Sequence, residues 1–361
     1  MSQHPLIDAA RHVVATVLEP AAAEVDASVV PKSHLKSLAD AGLLGVLAPV
    51  EVGGAGASAA VFREVAEQLA GADAATWFVQ AQHHAPVRLL TANPSAAADR
   101  YLPALATGEL VAGIAFSHLR QYPKRPVTAT REAAGWRFNG VAPWYTGWGI
   151  NDVAFLSGVD DAGEVVFAVV PAAETDALTV RARLRTAALN ASQTVMLAID
   201  DLVVSSDEIA LQQPHADWAA ADLIQANANA AIFGLGASAI ALLRAAGEAR
   251  QEAASVDAAA MYQARLDMLR TRCYALADDV PAHEAIDERL DLRAQALELL
   301  IAITSGLVAA SGGSAMALSS PAQRKAREAL FLLVQAQTAP ARIATMRRWA
   351  SSAAGWAQTG A

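Results

Sequence analysis

Cysteine, charge and aromatic rings are all scarce in this sequence. The single cysteine, Cys273, among 361 residues excludes an internal disulfide and any zinc site built on paired thiolates. Its neighbours Met268, Leu269 and Leu276 put it on a helical face, where packing is the expected role. Charged residues make up 17% of the chain, no run is rich in lysine or arginine, and the formal net charge is −9. The basic stripe that neutralises a phosphate backbone is therefore missing, and nucleic acid is not an expected partner. Met1 to Arg11 lacks the basic start and apolar core of a signal peptide. No uninterrupted apolar run of about 18 residues occurs, so no membrane span is expected. What these absences leave is a cytoplasmic enzyme or binding protein that works on small molecules.

Hydrophobic residues, by contrast, reach 54%. A chain of this length and composition can fill two or three cores. Whole helices read as apolar on nearly every side, which points to surface hidden in a homodimer or homotetramer.

The organisation is helices, strands, helices. In residues 1–110, Leu35, Leu38, Ala39, Leu43 and Leu44 recur at helical spacing. Gly53-Gly54-Ala55-Gly56 is a turn, a helix follows from Ser58 to Leu69, and Pro94 and Pro103 mark further ends. In residues 111–208, Val127–Thr130, Trp136–Gly140, Val153–Ser157, Val165–Val170 and Val195–Ile199 are β-rich, and Asp160-Asp161-Ala162-Gly163 is a hairpin turn. This reads as a small antiparallel β domain. Residues 209–361 are helical again, with long segments over 216–252, 257–279 and 284–311. The last begins with Glu284, Asp287 and Glu288 and ends at Gly312-Gly313. Gln225, Asn227 and Asn229 interrupt the apolar pattern of the first segment; Gln225 and Asn229 share a helical face, and either bond each other or line a pocket.

Several stretches carry a family resemblance. Gly312-Gly313-Ser314-Ala315-Met316 is followed by Ser319 to Glu328 with Arg327-Glu328, and then by Gln335-Ala336-Gln337-Thr338. Upstream lie Leu38 to Pro49 with Gly53-Gly54, the segment Gly140-Val141-Ala142-Pro143-Trp144-Tyr145-Thr146, and Asp201-Leu202-Val203-Val204. In this order and spacing they resemble the acyl-CoA dehydrogenase superfamily, which oxidises acyl thioesters with bound FAD. The resemblance implies an α+β multidomain fold: an N-terminal helical domain, a middle antiparallel β domain and a C-terminal four-helix bundle. It also implies the cofactor contacts. Trp144 would wall the isoalloxazine, Phe116, Ser117 and Thr146 would line or bond it, and Thr338 matches the family's threonine. Arg250 with Gly312 and Gly313 would hold FAD across a subunit interface. A flat apolar ring with a polar edge needs such an aromatic wall and a few fixed donors.

The departures from the family pattern matter as much. The glycine-rich flavin loop is replaced by Ala115-Phe116-Ser117-His118-Leu119-Arg120-Gln121, and the Arg-x-x-Phe-Gly motif by Arg250-Gln251-Glu252-Ala253-Ala254. The usual catalytic glutamate position holds Ala336, and the alternative base position, around Ile224-Gln225-Ala226-Asn227, has no carboxylate either. Removing an α-proton requires a base at one of these places. The expected function is thus a flavin-dependent oxidoreductase with a non-standard site, acting on an acyl thioester by CH–CH oxidation. One alternative is a two-component monooxygenase of the same superfamily that takes reduced FMN or FAD from a reductase; another is an inactive homologue. His84 and His118 are the candidate catalytic residues, because imidazole can hydrogen-bond or carry protons near neutral pH; His83 lies beside the first. The resemblance implies an acyl-CoA substrate and an electron-transfer or flavin reductase partner. No metal is expected.

Overall fold

The structure is a computed structural model describing residues 4–358, with side chains described through residue 352. His4 Nδ1 accepts from the Leu6 N–H and so caps α1 (Pro5–Val13), which carries Pro5 in the first turn, where its missing N–H is not needed. A π turn (Val14–Leu18) leads into α2 (Glu19–Ala27), and α3 (Lys32–Asp40), α4 (Ala59–Ala72), α5 (Ala74–Ala92) and α6 (Ala96–Thr107) follow. Ser95 caps α6 by accepting from Ala98 N–H, and Gly108 at φ +76° closes it. Pro103 was expected to end a helix and instead lies inside α6, four residues before its last residue.

Among the described residues eight strands form one sheet: β1 (Ala112–Ala115), β2 (Val127–Glu132), β3 (Gly135–Tyr145), β4 (Val153–Val159), β5 (Glu164–Pro171), β6 (Leu178–Arg183), β7 (Val195–Ser205) and β8 (Ile209–Pro214). Their order is β6-β7-β3-β2-β4-β5-β8, with β1 beside β4. The pairing is antiparallel except for β1 with β4 and one bridge between β2 and β4. The expected turn at Asp160–Gly163 joins β4 to β5, and Asp160 Oδ1 accepts from the N–H groups of Ala162 and Glu164, each at 2.8 Å. β4 is buried on both faces. Phe155, Val165 and Phe167 pack with Leu90, Leu102 and Leu105 of the helices, while Ala154, Leu156 and Val166 face Phe138, Trp148 and Leu197. The period of two along a strand sends alternate residues to these two cores.

Contacts divide the chain into two compact units: one holds the residues through Leu69 and Ala75–Ala219, the other Ala70–Ala74 and the residues from Ala220 onward. The helices of the last stretch are α7 (His215–Asp222), α8 (Ala230–Arg250), α9 (Ala253–Asp279), α10 (Ile286–Ser311), α11 (Pro321–Val334) and α12 (Ala339–Gln358). α8, α9 and α10 pack on one another, and α10 also carries α11 and α12. The single helix expected over 216–252 is broken: Leu223–Ala226 is a 3-10 turn and Asn227 is extended. Asn229 starts α8 by accepting from Ala231 N–H at 2.9 Å, so it and Gln225 do not share a helical face. Two stretches, His215–Arg250 and Ile286–Met316, are long and apolar enough to cross a membrane by length and composition. The first is 61% buried over its most apolar window, as befits a core helix.

α11 buries an ion pair. Lys325 is 1% exposed; its ammonium donates to Gly71 O at 2.6 Å and to Glu328 Oε2 at 3.2 Å. Burial lowers the lysine pKa and raises that of the glutamate, the direction desolvation takes for each.

Gly140 marks a close approach of β3 to the segment that leads into β2. It sits at φ +133°, and a Cβ there would lie 2.0 Å from Pro126 O. Gly140→Ala is expected to destabilise the protein by more than about 1 kcal/mol, read as a lower urea midpoint at unchanged slope.

Candidate functional site

In the first unit, β1 runs into a 3-10 turn, Ser117–Gln121, that carries two of the sequence-predicted residues. Phe116 precedes it, with the Arg120 guanidinium 5.4 Å from its ring centroid. Ser117 Oγ is buried and makes no hydrogen bond. His118 is 1% exposed; its Nε2 lies 2.9 Å from Ser157 O and 3.2 Å from Ser157 Oγ, which itself donates to Ala115 O. A carbonyl can only accept, so the proton sits on Nε2 and Nδ1 is a bare, buried acceptor with no partner.

Trp144 and Thr146 stand at the end of β3. Trp144 is 52% exposed, whereas Thr146 is buried with its hydroxyl 2.9 Å from that of Thr194. Between them Tyr145 is buried, and Asn151 Nδ2 donates to its hydroxyl and to Thr146 O. Gly113 of β1 permits this: a Cβ there would lie 2.2 Å from Asn151 Nδ2 and 2.5 Å from the Tyr145 hydroxyl. Thr194 and Asn151 escaped the sequence reading, since nothing in their spacing foretells contacts with a strand end 48 and 5 residues away.

The two histidines of α5 differ in kind. His83 donates from Nε2 to Leu105 O and accepts at Nδ1 from Ala112 N–H, both at 3.1 Å, so it joins α5 to α6 and β1 and is fully satisfied. His84 accepts at Nε2 from Gln80 Nε2, which also donates to Leu43 O. The His84 proton is therefore on Nδ1, a buried donor with no partner, and Phe62 packs edge-on against the ring at 4.8 Å.

In the second unit, Arg250 Nη2 donates to Ser311 O at 3.0 Å, and a Cβ on Gly312 would lie 3.9 Å from the same nitrogen. Gly313 has nothing within 4 Å of that position. The structure thus brings Arg250 and the glycine pair together, beside a 310 Å³ hollow also lined by Ser314, Ser320 and Pro321. Ser320 precedes α11 without a side-chain cap bond, so the hollow combines a guanidinium, hydroxyls and a helix N-terminus, a setting that accepts an anion. Thr338 has a local task, its hydroxyl accepting from Ala341 N–H at the start of α12. Ala336 lies at φ +49°, a left-handed conformation that costs about 1–2 kcal/mol for a residue with a side chain. The sequence reading also missed Arg289 and Arg293, whose signal was two arginines four apart in an apolar helix.

An open cleft of 460 Å³ between α3 and the Thr107–Val111 turn, lined by Lys32, Lys36, Asp40 and Asp152, contains none of the predicted residues. Among the described residues no group of three or more His, Cys, Asp or Glu is placed to hold a metal ion.

This arrangement of helices, sheet and helices is the acyl-CoA dehydrogenase fold. Butyryl-CoA dehydrogenase from Megasphaera elsdenii superposes with a TM-score of 0.76 at 16% identity, over 95% of this chain and 97% of that one. Dibenzothiophene monooxygenase (TdsC) from Paenibacillus sp. A11-2 gives 0.79 at 19% identity, over 96% and 97%. An acyl-CoA dehydrogenase from Geobacillus kaustophilus gives 0.78 at 16% identity, over 95% and 96%. Residues 2–109 match the family model described as acyl-CoA dehydrogenase, N-terminal domain. No curated protein matches the sequence.

Burial lowers the pKa of His83 to about 4, of His84 to about 3 and of His118 to about 4, from an ordinary 6.5. All three rings are neutral in the fold. The unfolded chain takes up protons below pH 6.5 that these rings refuse, so their contribution is complete above that value. It is lost as pH falls from 6.5 toward 4, at about 1.4 kcal/mol per pH unit for each ring. Urea unfolding at pH 8.5, 7.5 and 5 is expected to show the midpoint nearly level between the first two and falling steeply to the third.

Proposed function

We propose that this chain is a flavin-dependent oxidoreductase derived from the acyl-CoA dehydrogenase superfamily, with an acyl thioester as substrate class and a non-standard proton-transfer site. The observation that carries the reading is Trp144: a tryptophan half-exposed at a strand end, beside a fully buried Tyr145-Asn151-Thr146 network that fixes it. A flat aromatic wall on a rigid strand suits a flavin ring. The unpartnered Ser117 hydroxyl fits the same group, and Arg250 with Gly312 and Gly313 suits the diphosphate of FAD contributed by a neighbouring subunit. FAD, when bound, supplies the hydride acceptor. This chain's own part would be to wall the ring with Trp144, to bond it through Ser117 and Thr146, to take up the substrate's proton on the bare His118 Nδ1, and to donate a hydrogen bond from His84 Nδ1.

A second reading, a two-component monooxygenase using reduced FMN or FAD from a reductase, is favoured by a specific feature. Neither Ala336 nor residues 223–229 offer a carboxylate, whereas His84 holds a buried N–H with no partner, able to donate to an oxygen bound beside it. Exposed Met261, Leu330 and Met346 in the second unit support a homodimer or homotetramer. An electron-transfer protein or flavin reductase is the proposed redox partner.

The visible spectrum of the purified protein separates the readings. Yellow protein with one flavin per chain, bleached by acyl-CoA, supports the dehydrogenase; colourless protein that binds only reduced flavin supports the monooxygenase. Affinity for neither redox state sinks both. Trp144→Ala is expected to weaken flavin binding about tenfold, the loss of one stacked ring at about 1.4 kcal/mol, with the urea midpoint unchanged.

A further inference from the structure

α10 carries two arginines on one face, Arg289 and Arg293, 1% and 4% exposed. Arg293 donates from Nη1 to Gln225 O and from Nη2 to Gln335 O at 2.8 Å. Asn229 adds a second tie between the same segments, donating from Nδ2 to Gln335 Oε1 at 3.0 Å. Arg289 braces the first segment from below. Its Nη1 donates to Asn227 Oδ1 at 2.6 Å, while Nε and Nη2 take the carbonyls of Glu284, Val280 and Pro281. The tied segments are therefore the 3-10 turn Leu223–Ala226 with Asn227, and the turn after α11 that holds Ala336 in its left-handed conformation.

These two segments present an open surface. Leu223 is 39% exposed, Ile224 38% and Val334 60%, and Gln225, Ala336 and Gln337 are half-buried beside them. Residues 223–229 and 334–338 carry aliphatic, amide and hydroxyl side chains and no ionisable one, so they match an uncharged apolar group bearing a carbonyl or hydroxyl. A single guanidinium spans both segments because its planar fork donates in two directions at once; an ammonium on a flexible stem is a point donor.

We propose that Arg293 is the positioning residue of this surface: by tying Gln225 O to Gln335 O it sets the spacing of the two edges between which the apolar part of the substrate lies, and so sets selectivity for its width. The identity of that ligand rests on the flavin-enzyme reading above; the tie itself does not.

Arg293→Lys, Arg293→Met and Arg289→Lys in the full-length protein test it, with hydrogen exchange, flavin content and the ratio of kcat/KM for butyryl-CoA over isobutyryl-CoA as readouts. Arg293→Lys is expected to keep the flavin content of the parent. Exchange should rise at least tenfold at residues 223–229 and 335–338 alone, and the straight-to-branched ratio should shift at least fivefold. Arg289→Lys should loosen residues 227 and 280–284 and leave the 335–338 turn protected. Unchanged exchange at 335–338 in Arg293→Lys overturns the proposal, as does faster exchange across the whole second unit with an unchanged ratio, which marks a purely structural arginine. If Arg293→Met does not fold, Arg293→Lys decides alone. If the parent protein reacts with neither thioester, the acyl-thioester reading fails and the exchange pattern still decides the tie.

Discussion

A guanidinium can be buried only if its donors find oxygens, and α10 buries two of them. Arg289 reaches the carbonyls of three residues and one amide oxygen, and Arg293 reaches the carbonyls of Gln225 and Gln335. Removing a buried charge from water costs several kcal/mol before any bond repays it, so the three loops that supply these oxygens are not free to drift. Much of the second unit's irregular backbone follows from this. The break at Leu223–Asn229, the Val280–Glu284 connection and the turn at Ala336 are each held by an arginine on the one helix that packs against α8, α9, α11 and α12.

The same constraint explains an odd feature of the site. Ala336 is strained, yet the backbone around it is tied at Gln335 on both its main chain and its side chain. On the sheet side, Trp144 stands exposed on a strand whose next residue, Tyr145, is locked beneath Gly113. The first unit also holds buried polar atoms with no partner on an otherwise rigid framework. Ser117 Oγ, His84 Nδ1 and His118 Nδ1 are three of them.

Local chemistry made much of the fold legible in the sequence. The Asp160–Gly163 turn, Pro321 at the head of α11 and the glycines after α10 each declare an element end through their own side chains, and each stands where the structure ends an element. The apolar runs of β4 and β5 likewise mark strands buried on both faces. What stayed hidden depends on distant partners. The pattern over 216–252 reads as one helix because its apolar spacing continues through Gln225, Asn227 and Asn229; Arg289, Arg293 and Gln335, more than 60 residues on, give those amides and carbonyls another place to bond. β6 was missed because its arginines alternate with half-buried residues at a sheet edge, where burial is too slight to leave a clear signal. The histidines were legible as candidates but not as individuals. Whether a ring is satisfied, like His83, or left with a bare nitrogen, like His84, is decided by Leu105, Ala112 and Gln80 rather than by its neighbours in sequence.

The ammonium of Lys325 has a consequence for how the chain comes together. Its closest acceptor is the carbonyl of Gly71, 254 residues earlier, in the five-residue excursion Ala70–Ala74 that belongs to the second unit while its flanks belong to the first. A segment cut to begin at Ala220 would bury that charge without this acceptor. The second unit therefore cannot be lifted out whole, although most of it is contiguous. During synthesis its core must wait for the last helices to emerge and close on a short stretch made early, a long-range contact of the kind that slows folding.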